Sequence, residues 1–519
     1  MSSPTRAPSH RPAAGLAGLV AGAAGVASAE ATTALLDGVT SPILAVANRA
    51  VDLAPRPVKE WAIETLGSAD KAVLLGGVLV TVAALAFGLG ALGTTRPRLA
   101  VGGFLSFGAV ATAAVLTDRT ATAPVAVRLL PAAALVVVGV GALVVLLRAA
   151  GAPRGRPVDD LPSSFDRRTF LRAALAVGAV AAAGGAVSRV YGDAKAAASR
   201  LALSIPRPDL PAPPLPAGAI LDVPGITPHL TRNADFYRVD TALRVPDVPV
   251  ESWRLRVHGL VERELDLSFD DLVSRRLVER RITLTCVSNP VGGEYVGNAT
   301  WVGVPVRDLL REAGVRSGAD AVRSRSHDGF TAGTPLSALV DDERDALVAV
   351  AMNGEPLPLE HGFPARMVTP GLYGYVSATK WLVELEVTRF ADFEAYWTPR
   401  GYAVEAPVKT SSRIDVPRPF ARVTAGRVPV AGVAWSQDRG IRAVEVRVDG
   451  GQWSRAVLAA VDNEDTWRQW RWDWDATPGN HRIEVRATDA TGSTQTAERA
   501  PIAPDGATGW HSVNVTVVR

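Results

Sequence analysis

The sequence predicts a multidomain chain: N-terminal transmembrane α-helices, a central α+β domain and a C-terminal all-β immunoglobulin-like sandwich. Three observations predict it. Long uncharged apolar runs are confined to about residues 1–192, a proline-rich stretch follows within 193–228, and beyond about residue 413 the chain becomes short alternating segments divided by turns. A chain of 519 residues is long enough for three such parts. Its 55 basic and 52 acidic residues leave a net charge of +3, so there is no electrostatic footprint for nucleic acid.

Residues 1–192 read as a membrane domain of about five transmembrane helices. Ala13 to about Leu36 is long enough to span a bilayer but only weakly hydrophobic, with one acid, Glu30. Ala72–Leu92, Leu99–Leu116 and Leu129–Leu147 are apolar throughout. Phe170–Val187 is apolar apart from Arg172 and is introduced by Arg167-Arg168, a pair that anchors helices on the positive side and also resembles a twin-arginine export motif. Arg96 and Arg98 mark one cytoplasmic loop, and Arg148, Arg154, Arg156, Arg167 and Arg168 another. Five spans then put everything after about Ser188 outside, giving a multi-pass cell-membrane protein whose central and C-terminal domains are extracytoplasmic. Arg56 and Lys59, in the loop after the first span, fit that orientation less cleanly. None of the seven histidines lies in a span, which argues against intramembrane b-type haem, and the near absence of intramembrane acids argues against an ion path. The lipid bilayer is thus a partner, and anchoring or docking of an electron-transfer partner is the economical role.

Pro206, Pro208, Pro211, Pro213, Pro214 and Pro216 make 193–228 read as an extended, semi-rigid spacer. In the central domain, 229–412, Trp253–Gly259 alternates as a strand, and Ser268–Leu277 reads as a short helix with Asp270 and Asp271 near its start. Cys286 is the only cysteine, so an intrachain disulfide and a cysteine-rich zinc site are both excluded. It ends the β-forming run Ile282–Thr285 and precedes Asn289-Pro290 and Gly292-Gly293, which places the thiol at a strand end facing a pocket. A lone cysteine is commonly a small buried hydrophobe; a soft metal ligand is the sharper reading.

Several ordered motifs decide between them. The run TLTCVSNPVGGEYVGNATWVGVPVRDLL (Thr283–Leu310), followed by AMNGEPLPLEHGFPARMVTPGLYGYVSATKWLVELEV (Ala351–Val387), resembles the molybdopterin domain of the sulfite oxidase family over about residues 220–412. The resemblance implies molybdenum carried by molybdopterin in its simple form, with Cys286 as the protein thiolate on the metal and the catalytic residue. It implies pterin contacts at Asn233, Tyr237 and Arg238, a cofactor-contacting loop at Ser326 and Asp328, and pterin and phosphate contacts at His361 and Arg366. In the segment Gly371 to Trp381, it implies close backbone approach at Gly371 and Gly374 and further contacts from Ser377, Thr379 and Lys380. Relatives often have one residue fewer between Gly374 and Lys380, so which of the two hydroxyls makes contact stays open.

The departures concern substrate. Family members with sulfite as substrate carry an Arg-Asn-His triplet where this chain reads Asp240-Thr241-Ala242, and an arginine where it has Val291. Arginines there would grip an oxyanion through forked hydrogen bonds. The implied small-molecule substrate is therefore sulfite or another sulfur or oxo compound, with reduction of a sulfoxide or other oxide as the runner-up. No CxxCH or cysteine-rich iron–sulfur pattern exists, so electrons pass to or from a separate carrier such as a cytochrome or quinone-linked protein.

From Ala421 on, strands are expected at 443–448, 467–474, 481–487 and 512–518, giving the sandwich at 413–519. Its tryptophans suit a core and a packing interface better than a sugar-binding face. The module resembles the family's dimerisation domain, which implies a possible homodimer. The rival reading from another class is a non-catalytic cell-surface binding protein, for which tight partner binding by metal-free chain would speak.

Overall fold

The computed structural model describes residues 11–36, 38–55, 58, 61–62, 65–66, 69–118, 123–149, 172, 174–179 and 194–519. Two compact units divide near Lys195.

The first unit is helical: α1 (Arg11–Ala34), α2 (Pro42–Leu53), α3 (Asp70–Leu92), α4 (Pro97–Leu116) and α5 (Leu130–Ala149), the last preceded by the single turn Val125–Arg128. Among the described residues, four stretches, Pro12–Ala34, Lys71–Leu92, Pro97–Leu116 and Val125–Ala149, are long and apolar enough to cross a membrane. Arg167, Arg168 and most of Phe170–Val187 lie outside the described residues. The weak hydrophobicity of α1 has a packing cause. A Cβ on Gly18 would fall 2.1 Å from Ala86 O, and one on Gly25 2.9 Å from Leu135 O. Ala14, Ala17 and Ala21 are buried with Ala86, Leu143 and Leu146. Small residues let backbones approach where no side-chain hydrophobicity is needed.

The loop expected after the first span contains α2. Ser41 caps it, its hydroxyl accepting from Leu44 N, and Pro42 sits in the first turn. The Ser41 hydroxyl also donates to the Glu30 carboxylate.

In the second unit, α6 (Ala194–Ala202) comes first. The proline-rich stretch after it is not a free spacer. Leu210 N donates to Leu277 O and Glu279 N to Leu210 O, Leu221 N donates to Gln469 Oε1 at 2.7 Å, and Thr227 N to Asp415 Oδ2 at 3.0 Å. Extended proline-rich backbone makes few hydrogen bonds of its own, and here several of its amides find partners in the central domain and the C-terminal region.

The central domain is built on two sheets. In order, the first runs β2 (Leu265–Ser268), β1 (Arg254–Gly259), β10 (Leu382–Thr388), β5 (Ala321–Ser326) and β6 (Thr331–Pro335); β1 and β10 are parallel. The second runs β3 (Val278–Thr285), β4 (Val296–Pro305), β7 (Leu347–Met352) and β8 (Glu355–Pro356), with β9 (Arg366–Val368) also paired to β7. Leu255, Val257 and Leu385 from the first share one core with Val302, Val304 and Val348 from the second. The helix expected at 268–277 is shorter, α7 (Phe269–Val273), opened by a Ser268–Asp271 capping box. The other helical elements, α8 (Val306–Ala313), α9 (Leu336–Val340) and α10 (Gly374–Ser377), are brief connectors.

The C-terminal region is two facing sheets: β11 (Ser411–Val416), β13 (Gly426–Trp435), β17 (Arg468–Ala476) and β16 (Val457–Leu458); and β12 (Arg422–Thr424), β19 (His511–Val518), β18 (Gly479–Asp489), β14 (Ile441–Val448) and β15 (Ser454–Arg455). Val430, Val444, Trp470, Ile483 and Val515 lie in the core between them. Trp435 and Trp467 instead join Val287 and Tyr373 in a cluster that bonds this region to the central domain.

Candidate active site

β3 stops at Thr285 because the next residues turn. Cys286 N donates to Tyr295 O and Asn289 N to Cys286 O, so β3 and β4 form the stem of a loop with the thiol at its base. Cys286 is 7% exposed, and its Sγ accepts from Ser288 N at 3.4 Å. Burial pushes the thiol pKa up, against the Ser288 amide and the charge of Lys380. A thiol so placed stays protonated unless an electrophile takes the proton's place.

The sulfur lines a cavity shared with Tyr237, Ser326, His361, Arg366 and Lys380. These residues come from distant parts of the chain, and Gly362 is what lets two of them meet. Its φ is +110°, and a Cβ there would lie 3.0 Å from Arg366 Cβ and 3.1 Å from Lys380 Cβ.

The Arg366 guanidinium donates only to carbonyls, those of His361 (3.0 Å), Met367 (3.3 Å) and Ala378 (3.4 Å), and lies 5.0 Å from the Trp301 ring centroid. Among the described residues it has no carboxylate partner. Burial brings its pKa down to about 10, with Tyr237 opposing. Lys380 Nζ donates to Asp240 Oδ2 (2.6 Å) and Glu360 O (2.9 Å) and sits 4.6 Å from the Trp381 ring centroid. Burial lowers it to about 8, with Asp240 opposing. His361 is held neutral, its pKa lowered to about 4 by burial. Its Nε2 faces Asn233 O at 3.0 Å, so that nitrogen carries the proton. Burial pushes the Tyr237 phenol up.

Not every expected residue reaches the cavity. Asn233 contributes its carbonyl to His361, while its side chain bonds Met352 O and Asn353. Arg238 pairs with Asp240 at 2.9 Å, 38% exposed. Both open hydroxyls are spent elsewhere: Ser377 Oγ donates to Leu372 O and Tyr373 O, and Thr379 Oγ1 meets Ser324 Oγ at 2.7 Å. Ser326 and Asp328 do line the cavity. Val291 lines a different cleft of about 330 Å³ with Tyr373, Lys409 and Arg439.

Two features escaped the sequence reading. Asp240 neutralises Lys380, and the aromatic side chains of Phe236, Phe330, Tyr375, Trp381, Trp397 and Tyr402 line the cavity.

Comparison with known proteins assigns the class. The profile of the oxidoreductase molybdopterin binding domain matches residues 242–397. Sulfite oxidase of Gallus gallus is 31% identical over 322 residues, 53% of this chain and 69% of the chicken protein. The oxidoreductase YuiH of Bacillus subtilis is 36% identical over 164 residues, 31% of this chain and 79% of the other. Mitochondrial sulfite oxidase of Mus musculus is 29% identical over 343 residues, and this chain spans 62% of its length. The chain belongs to the sulfite oxidase family of molybdenum-dependent, molybdopterin-binding oxidoreductases.

The residues present fit the cofactor the family implies. A buried guanidinium facing only carbonyls calls for an anion, Lys380 adds a second charge beside it, and the buried thiol at the same cavity suits a soft metal.

Proposed function

We propose that this protein is a membrane-anchored oxidoreductase that carries out two-electron oxygen-atom transfer on a small sulfur or oxo compound at the extracytoplasmic face. The observation that carries this reading is the meeting, at one cavity, of Cys286 with a buried Arg366 that has no carboxylate partner among the described residues. Cys286 would ligate molybdenum, Arg366 and Lys380 would hold the terminal phosphate of the pterin, and His361 and Tyr237 would orient the ring system. When bound, the cofactor supplies the two-electron redox change and the exchangeable oxo group.

The chain's own contribution is to bind, orient and exclude water. His361, proton on Nε2, is locked to the Asn233 carbonyl and leaves Nδ1 as an acceptor. Asp240 limits the positive charge at Lys380 and, with Arg238, forms a polar rim. The aromatic wall keeps the reacting end of the cavity dry.

That wall also favours a second reading within the family. Phe330, Trp397 and Tyr402 stand around the cavity with Asp240 and Thr241, which belong to the Asp240-Thr241-Ala242 segment that replaces the Arg-Asn-His triplet of sulfite-acting relatives. Such a lining suits a sulfoxide or another neutral oxide, reduced with electrons from a separate carrier such as a cytochrome or quinone-linked protein. The four apolar helices support a bilayer anchor, and the arginines at 96, 98, 148, 154 and 156 support an inside position for their loops. The two facing C-terminal sheets support an immunoglobulin-like module, with a homodimer as its expected use.

The test is metal content and activity of membrane-extracted protein made in a host that supplies the cofactor. About one molybdenum per chain, with turnover of either sulfite or a sulfoxide, supports the proposal and chooses between the readings. Well-folded protein without molybdenum refutes it.

A further inference from the structure

β3 is an edge strand of its sheet, with β4 on one side only. An unpaired edge exposes a row of donors and acceptors that must be covered. At its start that edge is bridged by Leu210, and toward Cys286 the cover is the C-terminal region. Thr283 N donates to Asp465 O at 3.0 Å, and the Gln437 side-chain amide donates to Thr283 O (2.9 Å) and Thr285 Oγ1 (3.2 Å). Trp467 N donates to Thr283 Oγ1 at 2.8 Å. Gln437 is 2% exposed and reaches β3 from the turn between β13 and β14, which is shaped by positive φ at Asp438 and Gly440.

The far end of the loop is gripped by the same region. Arg413 Nη1, from β11, donates to Gly293 O at 2.8 Å. The His511 ring, from β19, lies so close over Gly292 that a Cβ there would come within 2.1 Å of it. His511 is itself fixed by Ile414 N, which donates to its Nδ1 at 2.9 Å. Contacts from four separate segments of the two-sheet region therefore bracket Cys286, at Thr283 and Thr285 before it and at Gly292 and Gly293 after it. The turn carrying Gln437 is braced in its turn, Arg439 Nε donating to Ser436 Oγ at 2.9 Å.

We infer that the C-terminal region sets the position of the Cys286 thiol within its own chain, with Gln437 and Arg413 as positioning residues. This rests on the reading of Cys286 as the metal ligand. The physical reason is that a ligand on a loop is only as fixed as the loop's ends, and groups that hold a ligand from behind are typically worth 10- to 100-fold in metal affinity or activity.

The test uses full-length protein and Gln437→Met, which keeps the side-chain length and removes both donated bonds. Arg427→Ala serves as control, altering a pair with Asp473 in the same region that does not touch the loop. In cofactor-loaded protein, Gln437→Met is expected to retain molybdenum, shift the molybdenum(V) resonance spectrum and lose roughly 10-fold in turnover. In cofactor-free protein, alkylation of Cys286, the single cysteine, should be several-fold faster in Gln437→Met and unchanged in Arg427→Ala. Spectra and alkylation rates identical to those of the parent overturn the inference. Arg413→Lys, read the same way, decides it if Gln437→Met does not fold. Failure of the ligand reading itself would show separately, as a Cys286→Ser variant whose spectrum matches the parent.

Discussion

Replacing Arg366 by methionine should push the cofactor-free and cofactor-loaded proteins in different directions. The side chain is 5% exposed, and burial takes its pKa from 12.5 to about 10. At about 1.4 kcal/mol for each tenfold change, keeping that charge buried costs about 3 kcal/mol. Arg366→Met removes this cost. It also removes three hydrogen bonds to carbonyls, worth about 1 kcal/mol each, and a contact over Trp301 of roughly 0.5–2 kcal/mol. The terms nearly cancel, leaving the cofactor-free chain destabilised by about 0–2 kcal/mol, against about 2–5 kcal/mol for truncating a buried aliphatic side chain to alanine. Cofactor retention has no such cancellation. A charge-assisted pair with a phosphate is worth about 1.5–3 kcal/mol, so affinity should fall roughly 10- to 150-fold. Urea unfolding of cofactor-free protein, beside molybdenum content after dialysis, measures both. A variant that loses more than about 3 kcal/mol of stability yet keeps full molybdenum would refute the assignment of Arg366 to an anion.

Three further outcomes are expected. Cys286→Ser should abolish turnover and alter the molybdenum(V) spectrum while changing the unfolding midpoint little, because a hydroxyl replaces a thiol of nearly the same shape; circular dichroism with metal analysis checks both halves. Gly362→Ala places a Cβ at φ +110° between Arg366 and Lys380 and should cost about 1–3 kcal/mol in unfolding experiments, with weaker cofactor retention. Asp465 is pushed up to about 7 by burial, reinforced by Glu464, Asp438 and Asp345 and opposed by the Asp438 amide. The folded state therefore binds the extra proton between about pH 4 and pH 7, so this group's contribution to stability falls as pH rises through that window, by at most about 4 kcal/mol. Asp465→Asn should remove that slope and be the more stable form at pH 8. Equal slopes in parent and variant, measured by urea denaturation from pH 5 to pH 8, would contradict the burial argument.

Local signals were legible where local chemistry decides the structure. Asn289-Pro290 and Gly292-Gly293 end β3 and put Cys286 at the strand end, as their turn propensities require. The alternation after residue 421 identifies β14, β17, β18 and β19 to within two residues. Signals that depend on partners were not legible. The proline-rich stretch has the composition of a spacer, yet its amides are taken by Leu277, Gln469 and Asp415. The Ser41-Pro42 start of α2 is present in the sequence, but the helix falls in a segment whose composition reads as a loop. Ser377 and Thr379 sit in the right motif, and only their neighbours show both hydroxyls turned to protein partners.

By itself, the sequence determined the order of the parts, the single thiol and its place at a strand end, and the residue types a metal and a phosphate would need. These follow from composition, turn chemistry and hydrophobic period, which act over a few residues. Tertiary structure alone decided which of those residues share a cavity, that Arg366 is buried with its guanidinium donating to carbonyls, that Asp240 neutralises Lys380, and that the C-terminal region holds both ends of the Cys286 loop. Those facts depend on packing between segments far apart in the chain, where close approach, burial and charge are set by neighbours that no local pattern encodes.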